Sequence, residues 1–183
     1  MLFPIGVMID SFRRPLREGM ALARAVGAAG IQVTVVEGEM APERMDAAAR
    51  VRFRKTCGAA GLRIAAVCGD LGGHGFERAD ENPAKVSRTR AIVDLAGDLG
   101  CGVVTTHIGV IPDEPDSPMY RAMQAACRDL GFYAAGKGVS LAVETGPETA
   151  AALRLFLDRL DAPGVGVNLD PANLVMVTGD DPV

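Results

Sequence analysis

The chain has 183 residues, with 19 Lys and Arg against 23 Asp and Glu and a formal net charge of −4. Hydrophobic residues make up 49% and aromatic residues 4%, which predicts one domain with a core of Ala, Val, Leu and Ile. The acidic balance without a basic face argues against a nucleic-acid partner, and no apolar run of about 18 residues is present to span a membrane.

The start, Met1-Leu-Phe-Pro-Ile, lacks the charged region of a signal peptide and reads as the first strand, Phe3 to Ile9, ending at Asp10. Pro15 opens a helix through Val26, with Leu16, Met20, Ala23 and Val26 at helical spacing. Ile31 to Val36 is a β-branched run that ends at Glu37. Pro42 opens a second, solvated helix that carries Arg44, Arg50, Arg52 and Arg54 and stops near Gly61. Leu62 to Val67 is the third strand, followed by the glycine-rich loop Cys68-Gly-Asp70-Leu-Gly-Gly-His74-Gly-Phe76. Asn82 and Pro83 read as cap and first-turn proline of a helix to Gly100. Val103 to Thr106 is the fourth strand and leads to His107. A Pro/Asp/Ser loop over 111–118 precedes a long helix to Lys137. The fifth strand ends at Glu144, Pro147 opens a helix through Leu160, and the sixth strand ends at Asp170. Gly179-Asp-Asp-Pro182 reads as the start of a further helix.

Strands at intervals of roughly 30 residues, alternating with helices and free of hairpin signals, imply right-handed crossovers and a parallel sheet. A closed (β/α)8 barrel needs two more units, so the pattern predicts an α/β barrel that is incomplete at about six βα units, in one domain over 1–183. The four cysteines, Cys57, Cys68, Cys101 and Cys127, have no metal or disulfide spacing. They read as reduced thiols, two or three of them in the core, with the cytoplasm as the default location.

Ligands bind at the carboxyl ends of the strands in such sheets. Those ends carry Asp10, Glu37, Asp70, His107, Glu144 and Asp170, and both histidines of the chain, His74 and His107, fall on that side. Asp10 and Glu37 read equally well as turn or cap residues, and Asp70 as a cap of the glycine loop. Acids with imidazole, rather than Lys and Arg, make a donor set for a divalent metal. Glu144 and Asp170 are the candidate metal ligands. Glu144 is also the candidate general base and acid, moving a proton from a C–H made acidic by the neighbouring cation.

The segments CGDLGGHGF (68–76), VVTTHIGVIP (103–112), AVETGPE (142–148) and VNLDPANLVMVTGDDPV (167–183) resemble the sugar phosphate isomerase/epimerase family. That family belongs to the xylose isomerase-like TIM barrels, which include the family 2 apurinic-site endonucleases. The resemblance implies Glu144 and Asp170 as ligands of a divalent Mn, Mg, Co or Zn ion. It implies that His107 lines the site of a small sugar, sugar phosphate or polyol, and Glu37, Asp70, His74 and Asn173, which fall on the same side of the sheet, are further candidate substrate contacts. Two further family ligands, a histidine after strand seven and a glutamate after strand eight, lie beyond this sequence. The expectation is therefore a chain cut from a longer product, in which two carboxylates make a weak, open site. An inactive fragment or a sugar-binding module is the alternative, and homo-oligomers are a further expectation. A cyclic-polyol dehydratase is less favoured. So is an endonuclease, because Asn173 stands where that branch has a histidine.

Overall fold

The computed structural model describes residues 3–182. Six strands form one sheet in the order β1 to β6, every neighbouring pair parallel. They are β1 (Gly6–Met8), β2 (Gly30–Thr34), β3 (Arg63–Cys68), β4 (Val103–Thr106), β5 (Ser140–Glu144) and β6 (Val165–Asn168). The helices between them are α1 (Leu16–Ala25), α2 (Ala47–Ala59), α3 (Asn82–Asp98), α4 (Pro118–Gly136) and α5 (Ala150–Leu160). A short α6 (Pro171–Asn173) follows β6 and widens into a π-turn over Leu174–Thr178. The expected alternation and parallel pairing are present, with a bulge where β3 passes β2 between Ile31 and Gln32.

The pairing register sorts side chains onto two faces. Ile31, Val33, Val67, Val104, Leu141 and Val143 are buried on one face, against helix residues such as Met20, Phe53, Ile92, Leu95, Met123, Leu130 and Phe156. Each fully buried side chain of this size contributes about 1.5–3 kcal/mol of transfer free energy, so this layer holds the sheet. The other face carries Gln32, Thr34, Ala66, Cys68, Thr105, Ala142, Glu144 and Asn168, which are small or polar. Gln32 Nε2 donates to Thr105 Oγ1 at 3.3 Å across β3. Three thiols, Cys57, Cys101 and Cys127, are buried in the apolar layer, and all four cysteines are free.

Several boundaries differ from the sequence reading. The first strand is shorter because Ile9–Phe12 turns into a 3-10 helix that Arg13 closes at φ 51°. The second helix starts at Ala47 rather than Pro42. The Asp46 carboxylate accepts from Ala49 N at 2.7 Å and sets the start there, while Met40, Ala41 and Met45 of the preceding turns go into the core. Asn82 is not a cap. It is the first residue of α3, and its buried amide donates to Phe76 O at 3.0 Å and Ala122 O at 3.3 Å, joining that helix to its neighbours. α5 begins at Ala150 behind a Thr149 cap rather than at Pro147. β6 ends at Asn168, two residues before Asp170. The segment 179–182 starts no helix among the described residues. Instead Asp180 Oδ2 accepts from Ala150 N at 2.8 Å, at the start of α5.

Candidate functional site

The loops after β3, β4, β5 and β6 converge. The glycine loop after β3 is bonded to the segment after β4 by Phe76 N donating to Ile108 O at 2.8 Å. At Gly75, φ is 53° and a Cβ would lie 2.1 Å from the Ile108 carbonyl carbon. Gly109, at φ 98°, is met in the same way by His74 O at 2.6 Å. Only glycine permits this crossing, and it brings Asp70 against His107.

Asp70 Oδ1 accepts from Gly72 N at 2.9 Å, and its Oδ2 lies 3.0 Å from His107 Nδ1. With Asp70 ionised, His107 Nδ1–H donates, which leaves the lone pair on Nε2. Nε2 faces Glu144 Oε1 at 3.7 Å, beyond a hydrogen bond but within ion-pair range.

Glu144 closes β5 and is held from two sides. Asn168 Nδ2 donates to its Oε2 at 3.2 Å and Asn173 Nδ2 to its Oε1 at 3.4 Å. The Asn173 amide also donates to Thr145 O at 2.9 Å. A latch ties this loop to the next one: Asp170 N donates to Thr145 Oγ1 at 2.8 Å, and Thr145 Oγ1 donates to Asp170 O at 3.0 Å. Asp170 Oδ1 caps α6 by accepting from Ala172 N and Asn173 N at 2.8 and 3.3 Å.

Asp70, His107, Glu144, Asp170 and Asn173 are thus brought together. Glu37 and His74 are not joined to them. Glu37 is exposed and lines an open cleft of about 530 Å³ at the ends of β1 and β2, with Asp10, Arg14 and Glu39. His74 is exposed on the glycine loop, with Nδ1 3.7 Å from Glu77 Oε2. The sequence reading did not single out Asn168, Thr145 or Glu148. Asn168 had a signal, since its place two residues before Asp170 pairs it with Glu144 across parallel strands. Glu148 is 8% exposed, and its Oε2 has no hydrogen-bond partner among the described residues. Burial pushes its pKa up, against the backbone N–H groups of Glu148 and Gly146 and the nearby His107, which pull it down.

The oxygen donors suit a hard cation. Glu144 and Asp170 supply two carboxylates beside two amides, and Asp170 Oδ2 makes no hydrogen bond among the described residues. No cluster of three or more His, Cys, Asp and Glu able to hold a metal occurs among those residues. Two carboxylates are a thin donor set, and an ion held by Glu144 and Asp170 alone would have to keep several waters, as Mg²⁺ does. No helix among the described residues is long and apolar enough to cross a membrane.

A family model described as xylose isomerase-like TIM barrel matches residues 20–183. A xylose isomerase domain protein from Planctomyces limnophilus superposes with a TM-score of 0.84 at 26% identity, over 98% of this chain and 67% of that one. A xylose isomerase-like TIM barrel protein from Mycobacterium smegmatis, in complex with magnesium, gives 0.73 at 19%, over 96% and 67%. A D-psicose 3-epimerase, in the presence of D-fructose, gives 0.76 at 14%, over 94% and 65%. The chain thus spans about two thirds of the length of these proteins. A comparison with curated proteins returns no match.

Proposed function

We propose, from the premise that the chain belongs to the xylose isomerase-like TIM barrel family, that it serves a sugar isomerase or epimerase. The substrate is a small sugar, sugar phosphate or polyol, and the chemistry is proton transfer by a carboxylate. One observation carries the reading. Glu144 is fixed by Asn168 and Asn173 at a strand end and faces an imidazole whose other nitrogen is held by Asp70.

Glu144 and Asp170 would hold a divalent cation. Bound there, it would polarise a substrate carbonyl or hydroxyl and acidify the adjoining C–H. Glu144 takes the proton from that carbon, and the electron pair moves onto the carbonyl oxygen. The protonated Glu144 then returns the proton. Return to the neighbouring carbon on the same face isomerises the sugar and needs one carboxylate. Epimerisation instead needs a second acid across the substrate, which gives its own proton to the opposite face of the same carbon while Glu144 keeps the one it took and later loses it to solvent. His107 Nε2 shuttles the hydroxyl proton between oxygens, and Asp70 keeps its tautomer. Asp70, paired with His107, and Asn173, bonded to Glu144, would offer partners to substrate hydroxyls. Glu37 and His74 would meet only a longer substrate.

The test is solvent exchange. Incubated in D2O with a panel of pentuloses and hexuloses and with Mg²⁺, Mn²⁺, Co²⁺ or Zn²⁺, the chain should wash deuterium into one C–H position. Glu144→Gln should stop this. Exchange at the wild-type rate in that variant, or none in the wild type with any sugar and metal, sinks the proposal.

A further inference from the structure

The helix layer carries a cluster of charge that the chemistry above does not use. A cavity of about 240 Å³ between α4 and the end of α5 is lined by Arg121, Gln124, Ala125, Arg128, Arg159 and Leu160. The α4 residues are three and four apart, so one face of that helix presents both of its arginines. Arg159 joins them from the last turn of α5. No acid is among the residues that line the cavity, and Asp161, which ends α5 at φ 44°, is outside it. Five other arginines each meet a carboxylate: Arg50 and Asp98, Arg78 and Glu81, Arg88 and Glu43, Arg90 and Asp129, Arg154 and Asp158. Arg121, Arg128 and Arg159 form no ion pair among the described residues. Three guanidinium groups around one small space repel one another unless an anion sits between them.

Part of the cluster has a structural role. Arg128 Nη1 donates to Leu160 O at 2.6 Å and Gln124 Nε2 to Arg159 O at 3.4 Å, which satisfies carbonyls at the end of α5. The Arg128 guanidinium also lies 5.3 Å from the Phe132 ring centroid, a second contact that holds its plane. Capping leaves most of the Arg128 N–H donors unused, and it does not account for Arg121, two turns earlier on the same face of α4.

We propose that this cavity is an anion site, separate from the strand ends, that takes the phosphoryl group of a small phosphate ester. Planar guanidinium forks match phosphate oxygens and bind them in pairs. Arg128, held by Leu160 O and Phe132, is already oriented for this. The volume sets the size of the ligand. It lies below the ~300 Å³ at which pockets for whole drug-sized molecules begin, so the phosphoryl group enters and the rest of the ester stays in solvent. A bound dianion would join α4 to α5 and stabilise the folded chain by mass action. Three arginines at one point do not make the basic track that a nucleic-acid backbone needs.

The probes are inorganic phosphate and ribose 5-phosphate, titrated at constant ionic strength against sodium chloride. Calorimetry reads the affinity, and the arginine Nε–H resonances in NMR read the place. Both probes should saturate and shift the Arg121, Arg128 and Arg159 resonances, and ribose should shift none of them. The variant is Arg121→Gln with Arg159→Gln, since neither side chain donates a hydrogen bond among the described residues. It should melt with the wild type in chloride. It should bind each probe about tenfold or more weakly, the loss expected for one or two charge-assisted hydrogen bonds. Arg121→Lys keeps the charge and loses the fork, so its affinity should fall between the two, and it stays readable if the double variant fails to fold. Equal binding by wild type and variants overturns the proposal, as does a lack of saturation. Phosphate binding without ribose 5-phosphate binding leaves an adventitious ion only, and overturns it too. If both soluble probes fail and the chain binds vesicles of phosphatidylcholine with phosphatidic acid, the arginines face a lipid surface and the ester is wrong.

Discussion

At the ends of β1 and β2, Asp10 and Glu37 stand exposed beside an open cleft, and Asp10 Oδ2 accepts from Thr34 N at 3.0 Å. At the ends of β3 to β6, Asp70, His107, Glu144 and Asp170 belong to one chain of contacts that runs through Asn168, Asn173 and Thr145. The two regions have similar acids at similar places in the sheet. What separates them is the set of neutral donors. Two asparagine amides aim Glu144, whereas no side-chain amide bonds to Asp10 or Glu37 among the described residues. A strand-end acid becomes a site when other side chains fix its orientation, because a fixed carboxylate needs no reorganisation as charge develops.

The largest expected effect is on the built side. Glu144→Gln should lower kcat by about 10²–10⁴-fold, the usual worth of a general base, measured by steady-state turnover on the sugar found active. Gly75→Ala comes next. Its Cβ would collide with the Ile108 carbonyl at a positive φ, so stability should fall by about 1–3 kcal/mol in urea unfolding. Asp70→Asn should keep the fold and reduce kcat/KM by about tenfold, through loss of the His107 tautomer.

A smaller effect distinguishes Glu148 by sign. Its folded pKa is raised. Its stabilisation is therefore complete below the ordinary glutamate value and is lost as pH rises through the folded value. Glu148→Gln should gain on the wild type in thermal stability across that window, and a constant difference with pH would exclude the linkage. The smallest effect belongs to the open side. Glu37→Gln should leave kcat unchanged and alter KM by less than about threefold for a small ketose. A large fall in kcat would break the contrast between the two regions.

The strand-end series was legible because an apolar run that stops at an acid needs only its own neighbours to be recognised. Glu144 and His107 were placed at the strand ends in this way, and the parallel order followed from the spacing of the runs. The start of α2 was misread because Pro42 and Asp46 both signal a helix start, and the burial of Met40, Ala41 and Met45 decided for the later one. Asn82 looked like a cap because capping and tertiary hydrogen bonding use the same amide. Glu148 was hidden because its burial depends on how Gly146 and Pro147 turn the loop, and no periodicity records that. Asn168 required the β5–β6 register, which is a property of two segments and not of one.

The thiols in the apolar layer have a use of their own. Burial pushes Cys57 up to about 11 and Cys127 up to about 12, and raises Cys101 as well. Alkylating reagents attack the thiolate, so at neutral pH these sulfurs react when the layer around them opens. Cys57 lies in α2 and Cys127 in α4. The rates at which they take up label are then two separate clocks, one ticking with the opening of each helix. Comparing them tells whether the layer comes apart in a single event or peels from one side.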